Sequence, residues 1–230
     1  MAIPVGTYEL GPGDGTLVVL TKRTGAAAMA GHDLVIDVTA WRARLVVAGN
    51  PAESALELEV DGGSLRVREG SGGMQALGDD DKANIDETID EEVLHRDAVA
   101  FRSSDVQVTD GGLDIRGDLT LLGATRPLAF DVGVGDDGAL SAVAVIKQSD
   151  WGMKPYSALF GTLKVVDEVE VAIEAVLPQA GAAASARSLP RSPTALHGEP
   201  APVGDGFPVV GAWTTVALLL AAEIVLLWLR

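Results

Sequence analysis

The stretch GDLTLLGATRPLAFDV, residues 117–132, decides how the rest of the chain is read. Taken two residues at a time, Leu119 and Leu121 face one way and Asp118 and Thr120 the other. After an interruption, Leu128, Phe130 and Val132 oppose Ala129 and Asp131. Side chains alternate across a strand with a period of two, so each half is a strand with one dry face. The interruption at Gly123 to Pro127 reads as a turn: glycine tolerates positive φ, and proline removes a ladder donor and pushes its predecessor out of the helical region. The two halves then lie antiparallel. Arg126 reads as a solvated or structurally paired turn residue rather than a ligand contact.

Outward from this stretch the pattern repeats from Gly6 to about Leu177. Leu34, Ile36 and Val38 form one run; Leu56, Leu58 and Val60 alternate with Glu57 and Glu59; Leu113 and Ile115 alternate with Asp114 and Arg116; Val169, Val171 and Ile173 alternate with Glu168, Glu170 and Glu174. Asp136, Asp137 and Gly138 read as a hairpin turn. These signals predict about eight to nine antiparallel strands. One segment departs: in DDDKANIDETIDEEVL, 79–94, Ile85, Ile89 and Val93 recur every four residues, which predicts a helix over about 79–95 capped by Asp79 to Asp81. The triple Asp is read as a cap rather than a metal site, because no calcium-loop spacing follows it.

The chain changes character at 178–208, where Ala, Gly, Ser and Pro dominate and a flexible linker is expected. Beyond it, 209–229 holds 17 apolar residues in 21 and reads as a C-terminal transmembrane anchor, at 1.5 Å rise about 31 Å long. Glu223 opposes insertion by roughly 2.5 to 3.5 kcal/mol, against about −5 kcal/mol from its Leu, Val and Ile. Trp213 and Trp228 stand near its two ends, where interfacial aromatics belong. The N-terminus lacks the basic and apolar regions of a secretory signal, so the domain is expected to face the cytosol.

Residues 1–177 carry 30 acidic and 14 basic side chains, the whole net charge of −16. That excess argues against nucleic-acid binding and against electrostatic docking on a membrane surface. Without cysteine there is no disulfide, thiolate nucleophile or Cys-based metal site. His32, His95 and His197 are dispersed, no Gly-x-Ser-x-Gly elbow is present, and GPGDG (11–15) and GSGG (70–73) lack the Lys-Ser/Thr of a phosphate loop. The expectation is a protein that is not an enzyme and needs no cofactor or metal.

The quoted stretch resembles the G-D-L-T-x-x-G-x-T-[RK]-P segment of YceI-like proteins. VAFRSSDVQV (99–108) and IKQSDWGMKPYSALFGTLKVVDEVEVAIEAVL (146–177) are similar to further family segments, in the family's order. The early segment 21–45 departs, with a Gly-His-Asp-Leu turn in place of the usual His-Ser opening. The resemblance implies an all-β, closed or nearly closed, lipocalin-like antiparallel barrel of about eight strands. Inside it a polyisoprenoid or similar long-chain lipid, such as a quinone or prenyl carrier, would bind noncovalently. The expected lining is Leu34, Ile36, Val38, Leu56, Leu58, Phe101, Leu119, Leu121, Phe130, Ile146, Trp151, Tyr156, Val171 and Ile173. Arg102, Lys147, Ser149, Asp150 and Tyr156 are candidates for the rim. The alternative is a ligandless structural or stress-response module recruiting a protein partner through its acidic surface. Oligomeric state is not addressed by the sequence.

Overall fold

A computed structural model describes residues 3–177; the linker and the expected membrane anchor at 209–229 lie outside the described residues. Among the described residues no helix is long and apolar enough to cross a membrane. Residues Met1–Ala183 form one compact unit. Its strands are β1 (Gly6–Leu10), β2 (Gly15–Thr21), β3 (Arg23–Thr24), β4 (His32–Val38), β5 (Trp41–Val47), β6 (Ala55–Val60), β7 (Leu65–Gly72), β8 (Val99–Thr109), β9 (Gly112–Leu121), β10 (Ala124–Val134), β11 (Ala139–Lys147), β12 (Ser157–Ala158), β13 (Leu163–Val165) and β14 (Glu168–Val176), with one helix, α1 (Asp79–Thr88). Eleven strands make one sheet in the order β1-β5-β6-β8-β9-β10-β11-β14-β2-β4-β7, and β12-β13-β3 make a small second sheet.

Alternation produces the curl. In β9, Leu113, Ile115, Gly117, Leu119 and Leu121 are buried while Arg116 and Asp118 are exposed. In β5, Trp41, Ala43, Leu45 and Val47 are buried and Arg42 and Arg44 exposed. The dry faces of strands from β1 to β14 share one hydrophobic core, centred on Leu113, Ile115 and Val106. A flat sheet of this width could not bring them together, so the sheet is strongly curled, a half-barrel whose end strands β1 and β7 do not pair with each other.

Chain continuity draws the two ends together. Only Thr39 and Ala40 separate β4 from β5, and only residues 61–64 separate β6 from β7. The Thr39 N–H donates to the Ser64 carbonyl at 2.9 Å and the Asp61 N–H to the Ala40 carbonyl at 3.0 Å. The β4–β7 and β5–β6 pairs are therefore two arms of one bent ribbon, one arm joined to β2 and the other to β8. Gly62 makes the corner possible, since a Cβ there would lie 2.1 Å from the Asp97 carbonyl oxygen. This bending corrects the strand count. Two long strands are each divided at the corner, which with the edge strand β1 and the small second sheet gives fourteen segments rather than eight or nine.

Two further corrections concern local structure. The turn in the opening stretch is only Leu122 and Gly123, with φ of 49° and 72°, closed by the Leu121–Ala124 pair. Thr125, Arg126 and Pro127 already belong to β10. The helix starts at Asp79, but Gly78 is its cap residue, and the Asp81 carboxylate accepts the Gly78 N–H at 3.0 Å. Its last turn, Ile89–Val93, widens to π geometry, so Ile89 is buried and Leu94 reaches the core behind it.

Candidate functional site: an apolar wall beside a split in the sheet

β10 and β11 pair only through Val132–Ala142, Gly133–Ser141 and Val134–Leu140. β10 continues along β9 back to Ala124, and β11 continues along β14 to Lys147. Among the described residues no backbone pair joins 124–131 to 143–147, so the two strands splay from a common apex. The sequence supplies a reason. Leu121 and Ala124 close the two-residue turn, so even-numbered residues of β10 exchange hydrogen bonds with β9 and odd-numbered ones direct their backbone groups toward β11. Pro127 is one of the odd ones, and the donor it lacks is one that β11 would need.

The open end of the split is crossed by residues 148–151, which leave β11 as a single 3-10 turn. The Trp151 indole N–H donates to the Leu119 carbonyl at 3.1 Å, reaching past β10 to β9, and the Arg126 Nε–H donates to the Asp150 carbonyl at 3.2 Å. Ser149 anchors the turn from the other side, giving its N–H and hydroxyl to the Asp167 carboxylate at 2.8 and 2.5 Å. Those two bonds, the hydroxyl's first, hold the Asp167 carboxyl below the ordinary carboxylate value. Gly152, at φ 77°, ends the turn in the left-handed conformation.

Along the split the inner wall stays half-buried although its residues face inward. Leu128 and Phe130 line one side and Ala144 and Ile146 the other, and the surface continues through Val171, Ile173, Val19 and Leu34. Toward the apex the same face is sealed by Leu140, Ala142, Val132, Leu17 and Ala175. The interior thus has a packed end and a loosely covered apolar wall. Two polar atoms, Trp41 Nε1 on β5 and Thr21 Oγ1 on β2, are buried without a hydrogen-bond partner among the described residues.

The residues singled out in the sequence fall as follows. Ile36, Val38, Phe101, Leu119, Leu121 and Trp151 are buried in the core, and Leu34, Leu56, Leu58, Phe130, Ile146, Val171 and Ile173 pack against it partly buried. Phe101 and Phe130 form a tilted ring pair with centroids 5.3 Å apart. Tyr156 is half-buried in the segment leading to β12, with its carbonyl accepting the Val165 N–H. Arg102 is not a rim residue. It lies on the outer face of β8, 4.0 Å from Glu57, in a ladder with Arg42–Glu59 and Arg44–Glu9 that lines an exposed groove. Such solvent-exposed pairs contribute little stability each. Lys147, Ser149 and Asp150 do lie together at the mouth, in and beside the crossing turn. Arg126, missed as a mouth residue, shares the inward-facing register of Ala124 and Leu128; the period of two through Pro127 is the signal that places it there. His32 Nε2 contacts the Gln75 carbonyl at 2.8 Å and the Asp33 carboxylate accepts the Arg23 N–H, so each is engaged with backbone.

A strongly curled antiparallel sheet with a continuous apolar inner wall, packed at one end and loosely covered along a split, makes this an all-β half-barrel with one helix. The chain belongs to the YceI-like domain family, which it matches over residues 16–177. Membership supports, at the level of the family, a barrel that binds lipid or polyisoprenoid. Among solved structures it is similar to BcnA of Burkholderia cenocepacia, at 14% identity over 70% of this chain and 94% of that one with a TM-score of 0.50. It is also similar to the YceI protein of Campylobacter jejuni, at 16% identity over 61% and 83% with a TM-score of 0.38. No curated protein matches.

Proposed function

We propose that this protein binds a polyisoprenoid or similar long-chain lipid noncovalently against the inner face of its curled sheet, without chemical turnover. The observation that carries the reading is the half-buried wall of Leu128, Phe130, Ala144, Ile146, Val171 and Ile173, which offers apolar surface and no directional partner. Burial of a hydrocarbon chain against it contributes roughly 0.8 kcal/mol per CH₂. The buried Thr21 hydroxyl, on β2 in register with Leu34, supports a ligand with one polar function, since an unpaired buried polar group costs about 1–3 kcal/mol. The apolar sequence at 209–229 supports a tether: a linker of about 30 residues, at roughly 5–6 Å × √n, keeps the domain within about 30 Å of a bilayer.

Native mass spectrometry and solvent extraction of residues 1–183 test this. Wild type is expected to copurify with one prenyl or long-chain lipid per protein. Ala144→Trp, which places an indole on the inner wall, is expected to lower occupancy at least about fivefold. A stable wild-type barrel that carries nothing and takes up no added polyprenyl phosphate or quinone favours instead the ligandless module that recruits a protein through its acidic surface.

A further inference from the structure

The barrel's two ends differ in chemistry. At the end away from the crossing turn, the connections 11–14, 48–54, 110–111 and 135–138 contain five carboxylates, Asp14, Glu53, Asp110, Asp136 and Asp137, and no basic residue. At the other end, segments 22–33 and 147–168 carry five basic and four acidic side chains, and the connection 73–78, whose Gln75 carbonyl meets His32 Nε2 at 2.8 Å, leads to three further carboxylates at Asp79, Asp80 and Asp81. Segments 22–33 and 147–168 are one structural unit: β13 pairs with β3, and the Ala27 N–H donates to the Thr162 carbonyl at 2.9 Å.

Three lysines of this end, Lys147, Lys154 and Lys164, are left available, whereas the Arg23 guanidinium already donates to the Gly31 and Ser71 carbonyls at 3.1 and 2.6 Å. Among the described residues Arg42, Arg44, Arg66, Arg68, Arg96, Arg102 and Arg116, elsewhere on the surface, each stand within 4.0 Å of a carboxylate. In the paired segments only Lys22 does so, with Glu170; Arg23, Lys147, Lys154 and Lys164 make no such pair.

Between these cations the chain presents apolar side chains to solvent. Leu159, Phe160 and Gly161 are three consecutive residues in the left-handed region, with φ of 49°, 54° and 83°. For bulky side chains that conformation is rare. Its result is a tip on which Phe160 is 96% exposed and Leu159 44%, with Met29 of the adjoining 3-10 turn 81% exposed. A soluble surface gains nothing from an aromatic ring held out in this way, whereas an interfacial segment does.

We propose that this end of the barrel docks on an anionic bilayer, Phe160, Leu159 and Met29 entering the acyl boundary and Lys154, Lys164 and Lys147 meeting the headgroups. The acidic opposite end is repelled by the same surface, so the charge asymmetry orients the molecule. Net charge, which argues against membrane contact for the chain as a whole, does not describe this end. The docking is independent of what fills the interior, though it sets the mouth beside Arg126 and Trp151 against the lipid.

Flotation of residues 1–183 with vesicles tests it. Wild type is expected to float with phosphatidylcholine vesicles containing about a third phosphatidylglycerol at low salt, and to stay behind when salt is raised or the vesicles are pure phosphatidylcholine. Phe160→Ser is expected to weaken binding about tenfold or more. Lys154→Gln with Lys164→Gln should weaken it by a similar factor at about fivefold per cation. Asn50→Asp with Ala52→Glu makes the same change of net charge at the far end and is expected to leave binding unchanged. Phe160→Trp gives a second readout, a blue shift of its emission on the anionic vesicles. No flotation of wild type at low salt, or equal losses in the near-end and far-end charge variants, overturns the proposal; the first result would leave the tip to a protein partner.

Discussion

At the residue scale, Gly117 shows how a missing side chain shapes the interior. It lies on the inner face of β9, opposite Leu128 of β10 and Ser103 of β8, between the rows of Phe101 and Phe130, which form a ring pair. A Cβ there would lie 2.2 Å from the Arg102 carbonyl oxygen and 2.7 Å from Cζ of Phe101. Both contacts are shorter than atoms tolerate, and one is to backbone. Gly117→Ala is therefore expected to destabilise residues 1–183 by about 1–3 kcal/mol in urea denaturation. An alanine variant as stable as wild type would show that β8 yields at this point and that the ring pair does not depend on the gap. Nothing local in the sequence reveals that two phenylalanines from different strands converge over Gly117.

At the scale of elements, the crossing turn 148–151 depends on one carboxylate. The Asp167 carboxyl sits below the ordinary value of 3.8 because the Ser149 hydroxyl and then its N–H donate to the charged form. A depressed folded value means that the stabilisation is present above the unfolded carboxylate range and is lost as pH falls through the depressed value. The Ser149 amide resonance is expected to titrate with a midpoint below 3.8, and amides of 148–151 to lose exchange protection only under those conditions. A midpoint at or above the ordinary value contradicts this account. The opening stretch shows where element reading succeeds and where it stops. Leu119, Leu121, Leu128, Phe130 and Val132 alternate as expected, because period two is a property of the strand itself. The turn was placed too wide because Pro127 and Gly123 are both turn formers locally. Only the parting of β10 from β11 explains a proline inside a strand.

At the scale of the whole molecule, charge opposes compactness. Residues 1–177 carry 30 acidic against 14 basic side chains, mostly on the outer face of the sheet and on α1. Raising ionic strength from about 0.01 to about 0.15 M shortens the Debye length from about 30 to about 8 Å and screens this self-repulsion. The melting temperature of residues 1–183 is expected to rise over that range. A flat or falling temperature would mean that the outer ladders around Arg42, Arg44 and Arg102 contribute more than the repulsion does.

The sequence by itself determined the all-β class, the inward set of residues in most strands, the single helix and the family, because alternation and turn chemistry are local and survive in one dimension. Of the fourteen residues expected to line a ligand, thirteen are buried in or packed against one hydrophobic core. Tertiary structure alone decided that β4–β5 and β6–β7 are bent strands, that β10 and β11 part below Val132, and that Trp151 and Arg126 meet at the mouth. It also decided that acidic turns collect at one end and unpaired cations at the other. These depend on which distant segments become neighbours, a relation that no period along the chain encodes.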